Sequence, residues 1–285
     1  MKKIELTVII ATHNEEANIG KCLESVKDIV DEILIADGES TDKTVEIAKS
    51  YGSLILPMSN KRMFHFNKEE AKKHAKGEWI LFLDADEIIP KKLAAEIRQV
   101  VEGKHRQIVL NKQFAKHTQF LEQRDHVRYT DTPPINGYFI ARKNYFLGHY
   151  LMHSGVYPDG VIRLVRNGTA YWPCKDVHET MVVEGGVSWL SEAMIHMADP
   201  TFSRYLWRAN RYTSLTADNL QQMKISKNAF SFIQYILLKP ITTFFLLFFR
   251  HKGFMDGFSG FVWALMSGLH FPIAYMKYVQ RDTRK

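Results

Sequence analysis

Leu81-Phe82-Leu83-Asp84-Ala85-Asp86-Glu87 decides how this chain is read. Residues 78–83 have the apolar character of a strand buried in an α/β sheet, and a helix is expected after Pro90. Asp84 and Asp86 then stand where the strand runs out, at the edge where open α/β sheets bind ligands. Two hard carboxylates one residue apart suit Mg²⁺ or Mn²⁺ shared with a diphosphate. Such ions keep several waters and take only one or two protein carboxylates. A lone D-x-D also occurs in solvated turns, so its surroundings carry the decision.

Those surroundings repeat one pattern. Leu6 to Thr12 is a β-branched run that stops at His13-Asn14-Glu15-Glu16. Ala17, Cys22, Leu23, Val26 and Ile29 follow at helical spacing, with Asn14 as the expected cap. A second strand over 32–36 ends in Asp37-Gly38-Glu39-Ser40-Thr41-Asp42, a helical pattern resumes over 44–51, and a third strand is expected over 53–56. Strand and helix in alternation mean right-handed βαβ units and a mainly parallel sheet. The loops at 13–16, 37–42 and 84–87 then line one edge. None has the glycine pattern of a Rossmann or P-loop phosphate site, which points to a diphosphate held through a metal.

Ala11-Thr12-His13-Asn14-Glu15, Asp37-Gly38-Glu39-Ser40-Thr41-Asp42 and Asp84-Ala85-Asp86-Glu87 together resemble the family 2 glycosyltransferases of the GT-A fold. The likeness is strong over about the first hundred residues. Val177-His178-Glu179, Arg163-Leu164, Lys239-Pro240 and the 253–257 stretch are similar to a subgroup related to lipopolysaccharide-core β-1,4-glucosyltransferases. The resemblance implies that the first loop and the aspartate after strand two hold the nucleotide. Thr12, Asn14, Glu15, Asp37, Gly38, Lys68, Asp84, Ala85 and Asp86 would then form the donor site, for a UDP-sugar first of all. It also implies that Asp84 and Asp86 bind the metal; His196 is a candidate for a further metal ligand. Glu39 and Glu69 depart from the pattern, standing where serine or glycine and asparagine are commoner.

An inverting transfer needs a base within reach of the acceptor hydroxyl. The family places an acidic pair before a helix there, which by carry-over makes Glu179 the base. His178 is the alternative, as base or metal ligand. Asp159, in a Pro-Asp-Gly turn, stands in reserve. The middle of the chain is otherwise read as short strands near 107–110, 137–141, 161–165 and 186–190, with a loop at 130–134. Arg163 and Arg166, three apart on a strand, face opposite sides.

Composition adds the rest. With 285 residues the chain is long enough for one α/β domain and an appendage: a GT-A domain over 1–200 (nucleotide half 1–102, acceptor half 103–200) and a basic, apolar helical region over 201–285. Cys22 and Cys174 imply no disulfide framework and suit a reducing compartment. Met1-Lys2-Lys3 leads straight into the first strand without a signal peptide, so the catalytic part is expected in the cytoplasm. From Thr201 onward twelve Lys and Arg face three Asp, a net of +9 where the whole chain carries +7. The apolar runs 230–238, 241–249 and 258–275 share that region. Each is short of the roughly 20 residues that span a bilayer, although 229–249 joined across Pro240 reaches that length. In-plane or re-entrant helices meeting anionic headgroups are the expectation, at the cytoplasmic face of the inner membrane. A subdomain packed on itself, or on a second copy in a homo-oligomer, is the alternative. A nucleic-acid partner is excluded, because the charge accompanies long aliphatic and aromatic runs. Arg204, Arg208 and Arg211 fall on one face of a helix over 201–222, where forks for a phosphate and a solvated basic face read alike. The expected reaction is metal-dependent inverting transfer from a nucleotide diphosphate sugar to a lipid-linked glycan, with polyprenyl-phosphate transfer or a non-catalytic sugar-nucleotide subunit as alternatives.

Overall fold

The computed structural model describes residues 3–60, 64–104, 112–174 and 180–282. The strand expected over 107–110, and His178 and Glu179, lie outside the described residues. The described chain divides into two compact units, one within 1–142 and 158–196, the other within 143–157 and 197–285.

The first unit opens with β1 (Leu6–Thr12), α1 (Ile19–Val26), β2 (Glu32–Asp37), α2 (Thr44–Ser50) and β3 (Leu54–Pro57). Then follow α3 (Phe64–Lys72), β4 (Trp79–Asp84), the two-residue β5 (Glu87–Ile88) and α4 (Lys91–Val101). Strands β3, β2, β1 and β4 lie side by side and parallel. Every residue of β1 is buried, as expected of a parallel strand covered on both faces. Register does the positioning: Thr12 lies opposite Asp37, and Ala11 opposite Asp84. The carboxyl ends of three strands therefore finish level, and the three acidic loops line one edge. α1 buries Ile19, Cys22, Leu23 and Val26, the apolar stripe of its sequence.

One expectation fails here. Asn14 does not cap α1; Asn18 occupies that position, without a side-chain cap bond. Asn14 instead takes a left-handed conformation, φ 54°, which asparagine tolerates better than most residues.

Past α4 the chain continues through α5 (Lys112–Asp125), β6 (Arg128–Tyr129), β7 (Ile135–Phe146), β8 (His149–Tyr150), β9 (Asp159–Arg166), β10 (Ala170–Tyr171), β11 (Val182–Val183) and β12 (Gly186–Asp199). β9 joins the sheet antiparallel to β4, and β7 antiparallel to β9, so the second half of the sheet is mixed. β12 pairs with β5, setting His196 opposite Glu87. That pairing is what no local pattern announces.

In the second unit α6 (Phe202–Gln222) begins at Thr201, whose hydroxyl accepts the Arg204 N–H at 3.2 Å. One continuous helix, α7, then covers Ala229–Arg250, and α8 covers Gly257–Asp282. Pro240 does not break α7. A π-helical turn over Gln234–Leu238 immediately precedes it, where the missing N–H and the ring clash of a proline fall. α7 and α8 run antiparallel, with Tyr235 stacked on Tyr275 at 5.2 Å and Phe244 edge-on to Phe261. Gly268 lets the backbones touch: a Cβ there would sit 2.7 Å from the Pro240 carbonyl oxygen. Gly268→Val should therefore lower the thermal midpoint, and an unchanged midpoint would contradict the close crossing.

Candidate active site

The first two loops are knotted together by side chains. Thr12 Oγ1 and Ser40 Oγ donate to Asp37 Oδ1 at 3.0 and 2.6 Å, and the Ser40 N–H donates to Oδ2 at 3.0 Å. The Gly38 N–H donates to the Thr12 carbonyl at 2.8 Å. Asn14 Oδ1 accepts the Thr41 N–H at 2.8 Å, the Glu15 N–H donates to Thr44 Oγ1 at 2.7 Å, and Glu15 Oε2 accepts from Asn18 at 2.7 Å. His13 Nδ1 lies 2.7 Å from the Gly38 carbonyl. A carbonyl only accepts, so the proton sits on Nδ1, and Nε2 accepts from Asn60 at 3.2 Å. Asp37 thus organises both loops from a buried position.

Around the D-x-D, cations and carboxylates alternate. Lys68 Nζ lies 2.6 Å from Asp84 Oδ1, and Arg163 Nη2 bonds Asp84 Oδ2. The same Arg163 nitrogen donates to Glu87 Oε1 at 2.6 Å, while Glu87 Oε2 accepts the Asp84 N–H at 3.0 Å. Arg142 Nη1 stands 3.7 Å from Glu87 Oε1, and Arg142 Nε donates to Asp159 Oδ2 at 2.9 Å. Lys68, Glu87 and Arg163 are buried, which mutual pairing makes tolerable. Burial pushes the Asp84 carboxyl up, but Arg163, Lys68 and Arg142 outweigh it and hold it well below the usual carboxylate range. Burial likewise works against the Arg163 charge, yet Asp84 and Glu87 raise its guanidinium above the ordinary value.

A depressed carboxyl adds stability that is present above the unfolded pKa, about 3.9, and lost as pH falls through the folded value. Asp84→Asn should therefore lower the urea midpoint at pH 7, with the difference from wild type shrinking once pH falls below about 4. A difference that grows on acidification would contradict the pairing.

Asp86 points elsewhere. Its Oδ1 lies 3.7 Å from His196 Nε2, both side chains being mostly covered. The expected trio of Asp84, Asp86 and His196 does not form one metal group. Among the described residues no three His, Cys, Asp or Glu side chains converge as one. The physical reason is that both Asp84 oxygens already face cations. Ala85 is buried between the two acids.

Several residues beyond the expected set shape this edge. Glu87, Arg163 and Arg142 extend the network; the signals were the acid directly after the D-x-D for Glu87 and the arginine singled out on the strand for Arg163, while Arg142 gave none. Trp172 gave no signal. Its ring stacks on His65 at 5.4 Å and meets Phe82 edge-on at 4.7 Å, and Lys68 Nζ lies 5.9 Å from its centroid. Glu69, the departure noted above, accepts the Trp172 N–H at 2.8 Å and pairs with Lys72 at 2.7 Å, so it secures that tryptophan. Arg166, on the opposite face from Arg163, lies over Trp79 and pairs with Glu78. Arg208 is not an open fork: it is paired to buried Asp199 at 2.5 Å, and Arg204 donates to the Ala198 carbonyl at 3.1 Å.

A model of the family described as glycosyl transferase family 2 matches residues 7–158, more than half of the chain. The chain belongs to that family. The transferase has the GT-A arrangement of a parallel nucleotide half followed by mixed strands. A lipopolysaccharide core biosynthesis glycosyltransferase of Rhizobium meliloti is 27% identical to it, covering 99% of this chain and 95% of the relative. An uncharacterized glycosyltransferase of Rickettsia felis is 28% identical over 90% of this chain and 83% of its own length. Among solved structures, a Pyrobaculum calidifontis mannosyltransferase in complex with GDP-Man and Mn²⁺ aligns with 98% of this chain and 88% of its own. Its TM-score is 0.47, at 12% identity. S. aureus TarS with UDP-GlcNAc aligns with 97% of this chain and 89% of its own, at a TM-score of 0.41 and 16% identity.

Proposed function

We propose that this transferase moves a sugar from a nucleotide diphosphate sugar, a UDP-sugar first of all, to a lipid-linked glycan of the lipopolysaccharide-core type, with inversion at the anomeric carbon. One observation carries the reading: Asp86 and His196 face each other beside the Lys68–Asp84–Arg163 cluster, at the level ends of β1, β2 and β4. The full-length relative from Rhizobium meliloti supports the acceptor class.

Asp86 and His196 fit a divalent ion as ligands among the described residues. A carboxylate and an imidazole 3.7 Å apart would contribute to the ion's ligands, with diphosphate oxygens and waters beside them. Mg²⁺ or Mn²⁺ is the ion of this reading. The ion would supply neutralisation of leaving-group charge. Asp84 is assigned a different task. Its carboxylate holds Lys68 and Arg163 in place, so that the Lys68 ammonium stands at the edge where a diphosphate would lie. Asp37, Gly38, Thr12, Asn14 and Glu15 form the nucleotide cradle in this reading, their loops held rigid by their own hydrogen bonds. Glu179 is the base that takes the acceptor proton, with His178 as the alternative. Asp159 is less suited, since Arg142 occupies Oδ2 with two N–H groups. The protein works at the cytoplasmic face of the plasma membrane, where such an acceptor is presented.

A thermal-shift panel of nucleotide diphosphate sugars, each with and without Mn²⁺, tests the donor side. A ligand at a hundred times its Kd stabilises by about 2.7 kcal/mol. The matching donor should raise the midpoint with the metal and much less with chelator, and a panel without any metal-dependent shift would overturn the donor reading. Glu179→Gln should keep that shift and lower turnover by about 10²-fold or more. Unchanged turnover in Glu179→Gln, with loss in His178→Ala, would move the base to His178.

A further inference from the structure

We infer that α7 and α8 do not cross a membrane but lie in the plane of one leaflet, with α6 as their water-facing cover. This deepens the membrane-face placement proposed above and rests on it.

By length and composition both helices qualify as spans, with mean hydropathies of 1.7 and 1.2. Their surfaces match lipid rather than a protein core, since only 6% of the apolar window of α7 and 33% of that of α8 is buried. On α7, Phe230, Ile233, Leu237, Ile241, Phe245 and Phe249 are exposed at helical spacing along its whole length. Phe258, Phe261, Leu265, Leu269, Ile273 and Met276 do the same on α8. Uninterrupted exposed apolar stripes of this length are rare on a soluble surface and mark an interaction site.

What decides the orientation is α6, which runs parallel to α8 over nearly its full length. Tyr205 meets Trp263, Thr216 Oγ1 lies 2.9 Å from His270 Nε2, and Arg281 pairs with Asp218 at 2.5 Å. Lys277 Nζ bonds the Asn210 carbonyl at 2.6 Å and Thr213 Oγ1 at 2.8 Å. Ala217 and Leu220 pack against Tyr275 and Tyr278. If α8 crossed a bilayer, α6 would cross beside it, carrying Arg204, Arg208, Arg211 and Asp218. Each such charge costs about 2.5–3.5 kcal/mol at a bilayer centre. A helix of that composition belongs in water or at the interface.

The charges of α7 agree with a helix lying flat. Lys227 precedes its first turn, and Arg250 and Lys252 close its last; all three are exposed. Lys227 Nζ lies 4.4 Å from the Tyr278 centroid, and Lys239, near the helix midpoint, lies 3.7 Å from the Tyr235 centroid and 5.5 Å from that of Phe271. The occupant of the exposed stripes is therefore the acyl region of an anionic leaflet.

Depth measurement tests this on the full-length protein. Ile233→Cys, Ile241→Cys and Phe249→Cys, each in a Cys174→Ser background, would carry a fluorophore; Cys22 is fully buried. Vesicles of phosphatidylcholine and phosphatidylglycerol, brominated at different acyl depths, supply the quencher. The three labels should share one depth, about 5–10 Å below the headgroup boundary. A span would put the labels at successive depths, shifted by about 12 Å for each eight residues of helix. That result would overturn the inference, as would unquenched labels, which mean that protein covers the stripes. Sugar transfer is scored in the same samples: a common depth without transfer leaves the orientation standing and counts against the functional reading alone.

Discussion

Replacing Asp86 with alanine should abolish sugar transfer and the metal-dependent part of nucleotide binding while the thermal midpoint without ligand stays close to wild type. The side chain faces His196 at 3.7 Å, and Lys68, Asp84, Arg163 and Glu87 pair with one another, so those buried charges keep these partners when it is removed. His196→Ala should weaken binding in the same direction, because it removes one of the proposed protein donors to the ion. Calorimetric titration of nucleotide with Mn²⁺ and with chelator gives the readout. An Asp86→Ala protein that transfers sugar at the wild-type rate, or a wild-type protein fully active in excess chelator, would sink the assignment.

The second large effect concerns stability. Arg163→Met should cost about 3–5 kcal/mol, the range for breaking a buried ion pair from one side. Glu87 is fully buried and would lose a hydrogen bond of 2.6 Å, and Arg142, at 3.7 Å, is too distant to replace it. Asp84 would lose its second cation at the same time. Urea unfolding at pH 7 measures the loss, and Arg163→Met combined with Glu87→Gln should recover part of it by removing the stranded charge. A single variant within about 1 kcal/mol of wild type would show that the network is not coupled to folding. A double variant with no recovery would point to lost packing of the arginine stem instead.

Much of this could be read from residue order alone. The alternation of apolar strand and amphipathic helix through residue 101 follows from local periodicity. Parallel strands buried on both faces leave a strong hydrophobic imprint, and the level ends of β1, β2 and β4 follow from the shared position of their acidic loops. The continuous α7 was less legible. Lys239-Pro240 suggested a break, and a π-helical turn over Gln234–Leu238 precedes the proline in a helix that continues.

The sequence by itself determined the α/β nucleotide half, the D-x-D at its edge, the family, and the presence of a basic, apolar C-terminal region. All of these rest on neighbours within a few residues of each other or on motif order. Tertiary structure alone decided that Asp84 and Asp86 have different partners. Asp84 receives Lys68 from α3 and Arg163 from β9, whereas Asp86 receives His196 from β12. It also decided that Glu87 is buried and that α6 covers α8. The reason is the range of the contacts: 79 residues separate Asp84 from Arg163, and the pairing of β5 with β12 sets register between chain segments that share no local pattern. Long-range strand pairing selects which of several chemically suitable side chains meet, and residue types along the chain leave that choice open.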